Sequence, residues 1–154
     1  MTYHYPSWDE LPAIDLYLDQ VLLYVNQVTQ HNIPSDKGLT ASMVNNYVKH
    51  EQLTKPIKKK YNRKHLARLI AITALKNVFS IQEISQTLTI LTANDQSKES
   101  YDGFVACMNE QETSGLPEVV ISACQTLKLY DHTQKLVQNL EGEEYEPNTN
   151  YETE

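Results

Sequence analysis

Apolar positions recur along most of the chain at helical spacing. From Ile14, the residues Leu18, Val21, Leu22, Val25 and Val28 follow at i+4, i+7, i+8, i+11 and i+14. That is one face of a helix reaching about residue 30. Ahead of them Ser7-Trp-Asp-Glu10 has the spacing of a capping box, with Pro12 in the first turn, where a missing N–H costs nothing. A first helix starting at this box is therefore expected. HNIPSDKGL (31–39), broken by Pro34 and Gly38, reads as a loop. Thr40 is a candidate N-cap for a short helix over 41–51, with Met43, Val44, Tyr47 and Val48 on one side. Residues 53–61 hold Pro56 and a run of lysines and read as a loop or a short two-stranded wing. Asn62 caps the next helix, over 63–78, whose Leu66, Leu69, Ile70, Ile72, Leu75 and Val78 form a face broad enough for a central, mostly buried element. Ser80-Ile-Gln-Glu83 is a second capping box and opens a helix through Leu91.

After the polar stretch TANDQS, Tyr101, Phe104, Val105 and Met108 mark a helix over about 100–113. The turn TSG separates it from a long helix over about 116–140. The last residues, EGEEYEPNTNYETE, are rich in glutamate, lack lysine and arginine, and have little to bury, which predicts a disordered tail. The expected fold class is all-α: a helix-turn-helix module with a long first helix over 8–93, a C-terminal helical pair over 94–140, and the tail over 141–154.

Charge changes this picture. The chain of 154 residues has a formal net charge of −7. Yet residues 37–76 hold ten of the 13 Lys/Arg and a single acid, Glu51. Segregation of that kind points to a polyanion-facing surface. Its densest part is KPIKKKYNRKH (55–65). The expected helix beside it carries Ser42, Asn45, Asn46 and Lys49 at i, i+3, i+4 and i+7, opposite its apolar side. These are short polar groups and one cation, without a carboxylate. Asn can pair bidentately with adenine, and Ser adapts to several partners. Lys58, Lys59, Lys60, Arg63 and Lys64 would supply phosphate contacts, giving affinity and register. The expected partner is double-stranded DNA.

Two resemblances fit these pieces. MVNNYVK, KKKY, RKHLARLIAITALK and VFSIQEI resemble, in order and spacing, the DNA-binding half of the MerR regulators: recognition helix, basic wing, helix, and a turn opening the next helix. In the first of these helices Asn45 and Asn46 stand where MerR proteins usually place an arginine. WDELPAIDLYLDQVLLYV, LTASMVNNYVKHEQL and KPIKKKYNRKHL resemble the bacterial family known as domain of unknown function 1836. What the resemblances imply is a winged helix-turn-helix fold and a role in transcription regulation.

Other chemistry finds little support. The five histidines, at 4, 31, 50, 65 and 132, have no metal-ligand spacing with one another or with Cys107 and Cys124. No nucleophile–base pair is visible, and four glycines leave no phosphate loop, so neither enzyme activity nor a cofactor or metal is expected. The cysteines, beside apolar neighbours, read as buried inert thiols. With no apolar run near 18 residues and no signal-peptide layout, a cytoplasmic, non-membrane protein is expected. A basic cluster is often only a solvated loop, so the alternative function is a helical protein–protein interaction module that does not bind DNA. An apolar stripe on the outward face of helix 41–51 would favour it. A small-ligand pocket among the C-terminal helices is compatible with either reading. One short recognition helix reads few base pairs, so a homodimer is expected through Val120, Leu127, Leu136, Val137 and Leu140 of the last helix. The competing account has these residues cover the first helix.

Overall fold

The computed structural model describes residues 2–30 and 38–144. Most of the 31–39 loop and most of the acidic tail lie outside them. Six helices dominate the described residues: α1 (Leu18–Thr29), α2 (Ala41–Lys49), α3 (Arg63–Leu75), α4 (Ile81–Leu91), α5 (Ser97–Met108) and α6 (Glu118–Glu144). A two-stranded antiparallel sheet joins β1 (Leu16–Tyr17) to β2 (Lys60–Tyr61). The mainly-α expectation holds. The last helix runs past residue 140, to Glu144.

α3 is the central element. His65 to Ala67 and Leu69 to Leu75 are all buried, leaving Arg68 as a half-buried exception. α1 and α5 pack on α3, α4 flanks it, and α6 lies on α5. The three expected N-caps, Thr40, Asn62 and Ser80, are in place. Thr40 Oγ1 accepts from Met43 N at 3.2 Å, and Ser80 Oγ accepts from Glu83 N at 3.1 Å, with Glu83 Oε1 returning the bond to Ser80 N at 2.9 Å.

The beginning of the chain differs from expectation. The Ser7–Glu10 box forms, with Ser7 N donating to Glu10 Oε1 at 2.8 Å, but it opens only one 3₁₀ turn, Trp8–Glu10. Leu11 is extended (φ −66°, ψ 154°) because the following Pro12 disfavours the helical region for the residue before it. The chain then forms β1, and α1 starts at Leu18. Ile14, taken as the first core position of that helix, is 72% exposed.

The segment before this turn is tied across the bundle. Tyr3 Oη donates to Asp131 at 2.6 Å, and Tyr101 Oη donates to the Pro6 carbonyl at 2.7 Å. The Asn109 side chain accepts from Tyr5 N and donates to Tyr5 O, both at 2.9 Å. Tyr5 meets the Phe104 ring edge-on at 5.6 Å. Residues 2–11 thereby close one side of the α5–α6 pair.

Candidate functional site

α2 is amphipathic as its sequence predicts. Val44 and Tyr47 are buried against the body, and Ser42, Asn45, Asn46 and Lys49 are all exposed. Among the described residues no large exposed hydrophobic lies on this helix. Its start is fixed from outside: Asn26 of α1 accepts from Leu39 N at 2.7 Å and donates to Leu39 O at 2.9 Å. A Cβ on Gly38, at φ +70°, would collide with the Asn26 side-chain oxygen, so the glycine permits this close approach.

Residues 57–60 form a small hairpin. Ile57 and Lys60 exchange two backbone hydrogen bonds of 2.9 Å, closing a two-residue turn with Lys58 (φ 52°) and Lys59 (φ 67°) at its tip. Positive φ at both central residues is the geometry of a type I′ hairpin turn, which normally selects Asn-Gly. Side chains with a Cβ are strained there by roughly 1–2 kcal/mol each. Both lysines are exposed.

The rest of the basic run disperses. In the β1–β2 register Lys60 stands opposite Tyr17, and its ammonium lies 5.1 Å from the Tyr17 ring centroid. Arg63 turns to the N-terminal segment, donating to Leu11 O at 3.0 and 3.3 Å and to Asp9 O at 3.3 Å. Lys64 pairs with Asp95 at 3.5 Å, an exposed contact worth little. Of the nine positions singled out in the sequence, Ser42, Asn45, Asn46, Lys49, Lys58 and Lys59 therefore present free polar or cationic groups. Lys60 lies over the Tyr17 ring, and Arg63 is held by the N-terminal turn.

His65 anchors the base of the hairpin. Its Nδ1 accepts from Asn62 N at 2.9 Å, completing a capping box in which Asn62 Oδ1 accepts from His65 N at 3.1 Å. With Nδ1 an acceptor, the proton sits on Nε2, which faces Thr54 Oγ1 at 3.0 Å and the Lys55 carbonyl at 3.3 Å. Burial holds this imidazole below its ordinary pKa, and the Lys55 and Thr54 contacts only partly oppose that. The ring also meets Tyr61 edge-on at 5.2 Å. His65 has no ligand spacing in the sequence, and its position three residues after Asn62 is the signal that places it at the cap.

Cys107 and Cys124 are both buried, as expected, and the structure brings them together across α5 and α6. Burial first, and the neighbouring Cys107 second, push the Cys124 thiol up to about 12. Such thiols are unreactive at neutral pH. Among the described residues no group of three or more His, Cys, Asp or Glu is placed to hold a metal ion. No helix among them is long and apolar enough to cross a membrane.

The sequence matches one family, described as "Domain of unknown function (DUF1836)", over residues 6–104, from the N-terminal turn through most of α5. α6 lies beyond the match. No curated protein and no solved structure shows a significant match to the chain.

Proposed function

We propose that this chain, which belongs to the DUF1836 family, is a DNA-binding regulator of transcription that works as a MerR-like winged helix-turn-helix. α2 lies in the major groove, and the hairpin tip contacts the phosphate backbone. Asn45 and Asn46 read base edges, with Ser42 beside them; Lys49, Lys58 and Lys59 neutralise phosphates. The observation that carries the reading is the outward face of α2: exposed polar groups and a lysine, with neither an acid nor a large apolar side chain among them. An interaction helix that docks on a protein partner would need an apolar anchor on that face.

Lys60 and Arg63 act by holding the wing in place rather than by touching DNA. With about three phosphates neutralised per protomer, log K should fall with log salt at a slope near −2.7. The deciding experiment captures genomic fragments on the purified protein and then titrates the most enriched duplex at several salt concentrations. Salt-dependent binding that prefers the enriched duplex to random DNA is the expected result. Absence of binding to any captured or random duplex at low salt would remove the reading and leave the interaction module.

A further inference from the structure

A cavity lies away from α2's outer face, between α3, α4, α5 and α6. Its volume is about 650 Å³, within the range of roughly 300–1,000 Å³ typical of small-molecule sites. Leu75, Leu88, Phe104, Val120 and Ala123 give it apolar walls from all four helices. Arg68, the half-buried exception on α3, lines it as well. Arg68 Nε donates to Gln52 O at 2.7 Å, and its Nη2 donates to Ser85 O at 3.2 Å, Ser85 Oγ at 3.1 Å and Thr89 Oγ1 at 3.3 Å. Those partners are neutral. Among the described residues no carboxylate pairs with this guanidinium, and Nη1 donates to none of them. Charges withdrawn from water are normally paired.

The acids around the cavity stand in solvent: Glu51, Glu83 and Glu118 are exposed. Lys64, the other cation at its edge, is exposed and pairs with Asp95. Two further polar groups in the lining are engaged internally: Ser100 Oγ donates to Leu91 O at 2.6 Å, and Tyr101 Oη donates to Pro6 O.

We infer that this cavity is a binding site for a small amphipathic monocarboxylate, with the carboxylate on Arg68 and an apolar body along the α3–α6 walls. One cation with its Nη1 N–H groups free suits one carboxylate, which Nη1 meets through a charge-assisted hydrogen bond. A multiply charged head would leave negative charge uncompensated facing Glu51, Glu83 and Glu118. The inference stands on the cavity and its cation, independently of the DNA reading.

The test uses the full chain with sodium dodecanoate and the uncharged 1-dodecanol, each below its aggregation concentration, followed by calorimetry and by methyl NMR. Dodecanoate should bind one per chain, shift the cavity methyls, and exceed the alcohol in affinity by about tenfold or more, as expected for a hydrogen-bonded ion pair. Arg68→Met should bring acid and alcohol to similar affinity. Since Arg68 also ties Gln52 to α4, a second variant, Ala123→Trp, fills the cavity while leaving the guanidinium in place, and it should abolish dodecanoate binding. Equal affinity for acid and alcohol in the wild-type chain, no binding of either, or unchanged dodecanoate affinity in Ala123→Trp would each overturn the proposal.

Discussion

Lys58 and Lys59 occupy a conformation that their side chains disfavour, and this makes the hairpin tip a direct test of what the wing is for. If two lysines sit at left-handed positions only because the turn needs two residues, Asn and Gly would serve it better. The double change Lys58→Asn, Lys59→Gly should therefore stabilise the fold by about 1–3 kcal/mol, since it relieves strain at both residues. It should also remove two phosphate contacts and lower the magnitude of the salt slope by about 1.8. Chemical denaturation and a salt titration of the same protein check the two halves. Higher stability with unchanged binding would show that the tip does not touch the phosphates. Asn45→Ala asks the complementary question. It should cost about 1–3 kcal/mol on the preferred duplex and little on random DNA, because a base-edge contact carries sequence information and a phosphate contact does not. Equal losses on both would take Asn45 off the reading face.

At the scale of elements, the hinge between loop and helix is the Asn62–His65 cap. It requires an unprotonated Nδ1, and burial holds the His65 pKa below the unfolded value of about 6.5. A depressed histidine contributes its full stability above the unfolded pKa and loses it as pH falls from there toward the folded pKa. Stability should decline as pH drops below about 6.5, at no more than about 1.4 kcal/mol per pH unit from this residue. His65→Gln keeps an acceptor at the third helical position, as in an ordinary capping box, but cannot titrate. Denaturation midpoints at pH 7.5 and 5.5 should differ less in the variant than in the wild type; an identical pH dependence would assign the effect to other groups. Elements governed by local rules were legible in the sequence. α3 and α4 begin where Asn62 and Ser80 cap them, and the polar face of α2 follows from period alone. What was not legible depended on partners distant in sequence. Residues 14–17 continue a helical pattern, yet Leu16 and Tyr17 pair with β2 some 43 residues away. Tyr3 and Tyr5 belong to no periodic segment, and their core partners Asp131 and Phe104 lie on α6 and α5. For Arg63, charge alone does not reveal that carbonyls 52 and 54 residues earlier accept from its guanidinium. The cavity at Arg68 needed four helices to be assembled before it existed.

For the molecule as a whole, the open matter is what α6 does beyond the bundle. Its core side is Cys124, Leu127 and Asp131, all buried, with half-buried Val120 in line with them. Leu129, Leu136 and Leu140, at i, i+7 and i+11, lie on the opposite side by the helix's 100° per residue. They are 64%, 47% and 61% exposed, with Val137 beside them at 40%. The residues first grouped as one interface therefore divide: Val120 and Leu127 serve the fold, while Leu136, Val137 and Leu140 are available to a partner. They do not cover α1, whose apolar side packs on α3. A leucine stripe with no partner among the described residues fits a second copy of α6, related by a two-fold axis, and such pairing would present two α2 helices to two half-sites about 34 Å apart or a multiple of that. Leu136→Glu tests this without disturbing the core, because the side chain already faces solvent. Sedimentation at micromolar concentration should show a wild-type dimer and a variant monomer. The variant's helical signal should be retained, and its affinity for the captured duplex should fall to that of a single half-site. A wild-type monomer would end the pairing model and require sequence preference to come from one α2 and one wing. In that case the leucine stripe would still need an occupant, since an exposed apolar row on a helix marks an interaction surface.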